Sequence, residues 1–195
     1  MKPLPQLKDI RLEKWVNFYL LYGKELDRRY SAILSMPDCE EKTDLYMLYE
    51  VESAQQTYSY YAGVLLDEVE LMDVKELLIT YSAAFLQWNQ AVYDSAVNIY
   101  SGILWNGEVW ELQPIGKDAN KTSFAEFEHT QTVSLLFADM EEGRVDRIYT
   151  LFAMFFRKEG EPFTEAIPDR IEIMKSLPLD IAYAIKEVLT DADRN

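Results

Sequence analysis

Residues 73–112 read DVKELLITYSAAFLQWNQAVYDSAVNIYSGILWNGEVWEL, and the fold turns on where helix gives way to strand within them. Val74, Leu77, Leu78, Tyr81, Phe85, Trp88, Val92 and Val97 recur at three- and four-residue steps, the period of one helix face. No Gly or Pro interrupts Asp73–Tyr100, so the spacing predicts a long helix serving as central scaffold or connector. Beyond Gly102 the pattern changes. Asn106-Gly107 separates two short runs rich in Ile, Leu, Val and Trp, and Asn-Gly is the pair favoured by a type I′ hairpin turn. Two strands alone are marginal in water, so this hairpin must lean on helices or on a neighbouring chain.

Upstream, Leu12, Trp15, Val16, Tyr19, Leu20, Leu26, Tyr30, Ile33 and Leu34 keep helical spacing. Gly23 either divides that stretch into two helices or leaves one with a weak point. Met36-Pro37-Asp38 ends it, because a residue before proline disfavours the helical region. Helix is expected to resume near Lys42. Downstream, Lys117–Lys121 reads as a polar loop, with Thr122 or Ser123 as a cap and Glu126 in the first turn of the next helix. Helices are expected at roughly 123–141, 144–156, 168–175 and 178–190, separated by Glu141-Glu142-Gly143 and by Lys158–Pro162. LDRRYSAILSM (26–36) and VDRIYTLFAMF (145–155) share an Asp-Arg-x-Tyr core, a weak sign of a duplicated helical unit.

These readings combine into an all-α fold, a multi-helix bundle with one small β-hairpin. Residues 1–72 would form an N-terminal helical lobe, 73–101 a long connecting helix, and 102–195 a C-terminal lobe carrying the hairpin. Duplication would make the two lobes related.

Composition fits a helical protein. Of 195 residues 49% are apolar, enough for a sizeable core, and seven Gly and seven Pro are few beside 13 Tyr and nine Phe. The formal net charge is −15, which repels nucleic acid and anionic lipid. That charge either keeps an aromatic-rich surface soluble or attracts a basic partner protein. Cys39 is the single cysteine, so no intrachain disulfide and no thiolate metal cluster can form. The N-terminus lacks an apolar run of signal-peptide length, and no stretch has the length of a membrane span, so a cytosolic setting is expected.

Chemistry is scarce. Glu126 and His129 lie one turn apart, as in carboxylate-bridged metal bundles, but those sites need the pair twice and His129 is the sole histidine. A polar helix face is the simpler reading, with a carboxylate-metal enzyme as the alternative. No nucleophile elbow, phosphate loop or calcium loop occurs. Neither catalytic residue nor cofactor is expected. Tyr58, Tyr60 and Tyr61 have no interleaved Lys or Arg, which disfavours nucleic acid, and their spacing suits an interface or the rim of a core. Trp105 and Trp110, flanking the turn, are candidate exposed anchors for a partner.

Two longer stretches add a resemblance. WNGEVWELQPIG (105–116) with TSFAEFEHTQ (122–131), then DRIYTLFAMFFRKEGEPF (146–163) and MKSLPLDIAYAIKEVL (174–189), are similar to tail-assembly chaperones and related virion-assembly factors of tailed bacteriophages. LKDIRLEKWVNFYLLYGKELD (7–27) resembles the opening of related proteins from phages of gut Bacteroidetes, the crAss-like phages included. The resemblance implies a helical, non-enzymatic protein that binds other phage structural or tail proteins. It implies host-cytoplasmic action or retention in the virion, with homo-oligomerisation as one arrangement. A permanent virion component, such as a ring, connector or packaged protein, is the alternative in the same setting. An acidic inhibitor of a host protein, mimicking nucleic acid, is a further one.

Overall fold

A computed structural model describes residues 1–99, 101–112, 144–161 and 167–193. Among these residues the chain is mostly helical with a minor β element, as the periodicity predicts. The helices are α1 (Leu12–Phe18), α2 (Lys24–Ser35), α3 (Glu40–Ala62), α4 (Leu66–Glu70), α5 (Val74–Asn98), α6 (Arg147–Phe155), α7 (Ile167–Met174) and α8 (Leu179–Asp193). The strands are β1 (Ile103–Trp105), β2 (Glu108–Leu112) and β3 (Phe156–Lys158). The expected helix at 123–141, with Glu126 and His129, lies outside the described residues.

The chain divides into two compact units. The first comprises Met1–Gln6 and Asn17–Asn89; the second comprises Leu7–Val16 and Gln90–Asn195. Both α1 and α5 supply residues to each unit.

In the first unit, Gly23 does not break the helix. A single π-helical turn, Tyr19–Gly23, joins α1 to α2 while the backbone stays helical. Met36 then turns extended before Pro37, and α2 ends there. Arg29 pairs with Glu52 and ties α2 to α3. Ala54, Tyr58 and Ala62 of α3, Val69 of α4 and Leu77 of α5 form the buried cluster. The N-terminal segment is laid over it by three hydrogen bonds. The Tyr58 hydroxyl donates to the Lys2 carbonyl (2.8 Å), Lys2 Nζ to the Ala62 carbonyl (2.7 Å) and Trp88 Nε1 to the Pro5 carbonyl (3.0 Å). Gly63, at φ 67°, caps α3 in the left-handed conformation that glycine adopts without strain. Asp73 Oδ1 accepts from the Glu76 backbone N–H at 2.9 Å, capping α5.

In the second unit, Asn106 (φ 53°) and Gly107 (φ 79°) form the turn that the Asn-Gly pair predicts. The hairpin leans on β3, giving an antiparallel sheet in the order β1-β2-β3. β3 corrects the expected helix at 144–156, whose last residue leaves the helix to pair with Leu112. All of α6 from Ile148 to Phe155 is buried except Thr150, which is half-buried. Leu7, Ile10, Leu12 and Val16 join this core. Backbone hydrogen bonds from Leu12 to Leu177 (2.8 Å) and from Leu179 to Ile10 (2.9 Å) fasten the segment before α1 to the segment before α8.

Candidate partner-binding surface

The residues singled out in the sequence do not form an exposed site, and the structure corrects that expectation. Trp110 is 1% exposed and Trp105 is 7% exposed. Their rings meet at 4.9 Å, and both pack on Phe156 of β3, at 5.7 and 6.3 Å. The physical reason is strand alternation: Trp105, Trp110 and Leu112 fall on one face of the sheet, whereas Leu104 and Val109 take the solvent face. Lys158, paired with Trp110 across the strands, lies 5.7 Å over its ring and bonds Glu108 at 2.6 Å.

The tyrosine segment of α3 also turns inward. Tyr58 is completely buried, Tyr61 is buried and Tyr60 is half-buried. Phe18 lies 5.3 Å from Tyr60 and 5.2 Å from Tyr61, and Tyr61 meets Trp88 edge-on at 6.0 Å. Burial, with a smaller contribution from Tyr22, raises the Tyr60 pKa above its ordinary value. This is an internal aromatic wall.

What the first unit exposes instead is aliphatic. Leu20, Leu21, Leu34, Met47, Leu48, Leu65, Leu71, Ile79 and Leu86 are all exposed, Leu86 to 71%. Among the described residues, every exposed large apolar side chain belongs to this unit except Tyr93, Leu104 and Val109. On α5 the exposed Ile79, Ala83 and Leu86 follow at helical spacing, opposite the buried Leu77 and Ala84. The helix is therefore apolar on both faces, a pattern that normally belongs to a helix covered all round. Periodicity finds the buried stripe but cannot say whether the other stripe is covered.

A second group, exposed at Tyr30 and Tyr46 and half-buried at Tyr49, is aromatic. Tyr30 of α2 stacks on Tyr49 of α3 at 5.4 Å and 29°, and Tyr46 leans on both at 6.3 and 6.4 Å. The charge of Glu50, followed by burial, raises the pKa of the Tyr46 phenol. Burial is the main cause of the rise at Tyr49, followed by the charges of Tyr81 and Asp27.

A recess of about 10 Å³, lined by Leu12, Trp15, Ile148 and Tyr183 among others, has room for a water molecule and not for a substrate. No group of three or more His, Cys, Asp or Glu side chains with metal-holding geometry occurs among the described residues. No described helix is long and apolar enough to cross a membrane. No protein-family model, no curated protein and no solved structure matches the chain.

Proposed function

We propose that the chain is a protein-binding factor of phage assembly, resembling the tail-assembly chaperones, and that it acts by contact rather than by chemistry. One observation carries the reading: among the described residues, the exposed large apolar side chains are concentrated in the first unit. Apolar surface left open to solvent is a liability for a solitary protein and an asset for one that covers another's. Burying a Leu or Ile side chain at an interface is worth roughly 1.5–3 kcal/mol before the costs of association. The net charge of −15 would keep the loaded complex soluble and discourage nucleic acid from competing.

The test is affinity capture of the tagged chain from phage-infected cells, followed by mass spectrometry. Enrichment of tail or other virion proteins, with little of this chain in purified particles, is the expected result. Stoichiometric retention in particles would make it a permanent component, and capture of no phage protein would end the reading.

A further inference from the structure

We propose that the exposed tyrosine cluster of the first unit, Tyr30, Tyr46 and Tyr49 with Asp27 and Glu50, receives an arginine side chain of the partner protein. The inference rests on the protein-binding reading and names the chemistry of what is bound. α2 and α3 are held together by the Arg29–Glu52 pair, which brings the three rings into mutual contact at 5.4–6.4 Å. Buried aromatic clusters are ordinary packing. This one is different, since Tyr30 and Tyr46 are each 37% exposed, leaving ring surface open to solvent.

An aromatic face carries partial negative charge and attracts a cation within about 6 Å of its centroid. The rim reinforces that preference. The charge of Glu50 acts on the Tyr46 phenol, and that of Asp27 on the Tyr49 phenol. Both carboxylates are exposed. The guanidinium groups adjacent in sequence are already engaged: Arg28 binds both oxygens of Glu25, at 2.8 and 2.6 Å, and Arg29 binds Glu52. A cation for the rings therefore comes from outside.

Arginine fits better than lysine. Its planar, weakly hydrated guanidinium stacks on a ring while its N–H fork addresses a carboxylate at the edge. A nucleic-acid base would bring phosphates towards Asp27 and Glu50, which disfavours it.

The probe is an unstructured Gly-Ser-Arg repeat peptide, with the Lys and Glu versions of the same length as comparators. It is titrated into the full chain, with affinity from calorimetry and tyrosine ring resonances followed by NMR. The arginine peptide is expected to shift the resonances of Tyr30, Tyr46 and Tyr49, and the lysine peptide to bind more weakly. Tyr46→Leu and Glu50→Gln should each weaken binding about threefold to tenfold, given the usual size of exposed cation–ring and ion-pair contacts. Glu187→Gln makes the same change in net charge at an exposed position on α8, and should leave binding unchanged.

Equal weakening by Glu187→Gln, shifts that avoid the three tyrosines, or binding of the acidic peptide would overturn the proposal. If Tyr46→Leu fails to fold, Glu50→Gln carries the same test. Partners still captured from cells by variants that have lost the arginine peptide would sink this site while leaving the protein-binding reading intact. Peptide binding at the cluster by a chain that captures no phage protein would do the reverse.

Discussion

Gly23 lies under the ring of Tyr19, one turn earlier in the π-helical segment. A methyl group added at Gly23 would meet the Tyr19 Cδ2 at 2.5 Å, well inside van der Waals contact. The ring belongs to the same segment, so relief requires moving it off its own helix. Gly23→Ala should therefore destabilise the chain by about 1–3 kcal/mol, read as a lower urea midpoint at unchanged slope. Tyr19 carries a second consequence. Burial first, then its hydrogen bond to Asp27 and the charge there, pushes its pKa from 10.0 up to about 12. The folded chain then holds that proton more tightly than the unfolded one. The associated stability is complete below pH 10 and is lost as pH rises towards about 12. Urea melts across that window should show the decline, and Tyr19→Phe should make it shallower, leaving the part owed to the other tyrosines with raised pKa values.

The hairpin and α6 show how far local sequence carries an element. Asn106-Gly107 was sufficient to place the turn, since positive φ at two successive residues is a local demand that few residue pairs meet. Gly107→Val, which puts a β-branched residue at φ 79°, should cost about 1–2 kcal/mol and lower the thermal midpoint. Strand alternation within the same segment would also have turned Trp105 and Trp110 inward. The exposure expected of Trp105 and Trp110 beside the turn runs against that period. Trp110→Ala should accordingly cost about 3–5 kcal/mol, as loss of a packed ring in a core does. A near-native melt for that variant would count against the packing against Phe156. β3 was not legible. Phe156 continues the apolar run of α6, and only the pairing of 156–158 with β2, distant in sequence, pulls it out of the helix. The π-helical turn was equally hidden, because one widened turn leaves the apolar spacing nearly unaltered.

At the scale of the molecule, periodicity recovers the helical class and the bounds of α5 within two residues, and the proline rule recovers the end of α2 before Pro37. Exposure was beyond its reach. Val74 and Phe85 belong to the apolar rhythm of α5 and are exposed, as are Ile79 and Leu86 outside it. An apolar content of 49% is compatible with either fate for each of them. Which of them the fold buries depends on contacts with Tyr58, Ala62 and Val69 from other elements. The Asp-Arg-x-Tyr pair illustrates the same limit. Tyr149 is buried and its pKa is raised mainly by that burial, whereas Tyr30 is exposed. Similar sequences thus serve a core in one unit and a surface in the other.

The claim that the first unit's oily exterior grips other proteins has a direct measurement. Ile79→Glu combined with Leu86→Glu changes two exposed side chains and should alter folding stability by about 0.5 kcal/mol or less per site. Quantitative capture from infected cells, wild type beside the double variant, with urea melts of both, reads binding and folding separately. A binding role for these side chains predicts an unshifted melt and at least a tenfold drop in captured phage protein, since burying either one at an interface is worth more than about 1.4 kcal/mol. Undiminished capture by the folded double variant would contradict it.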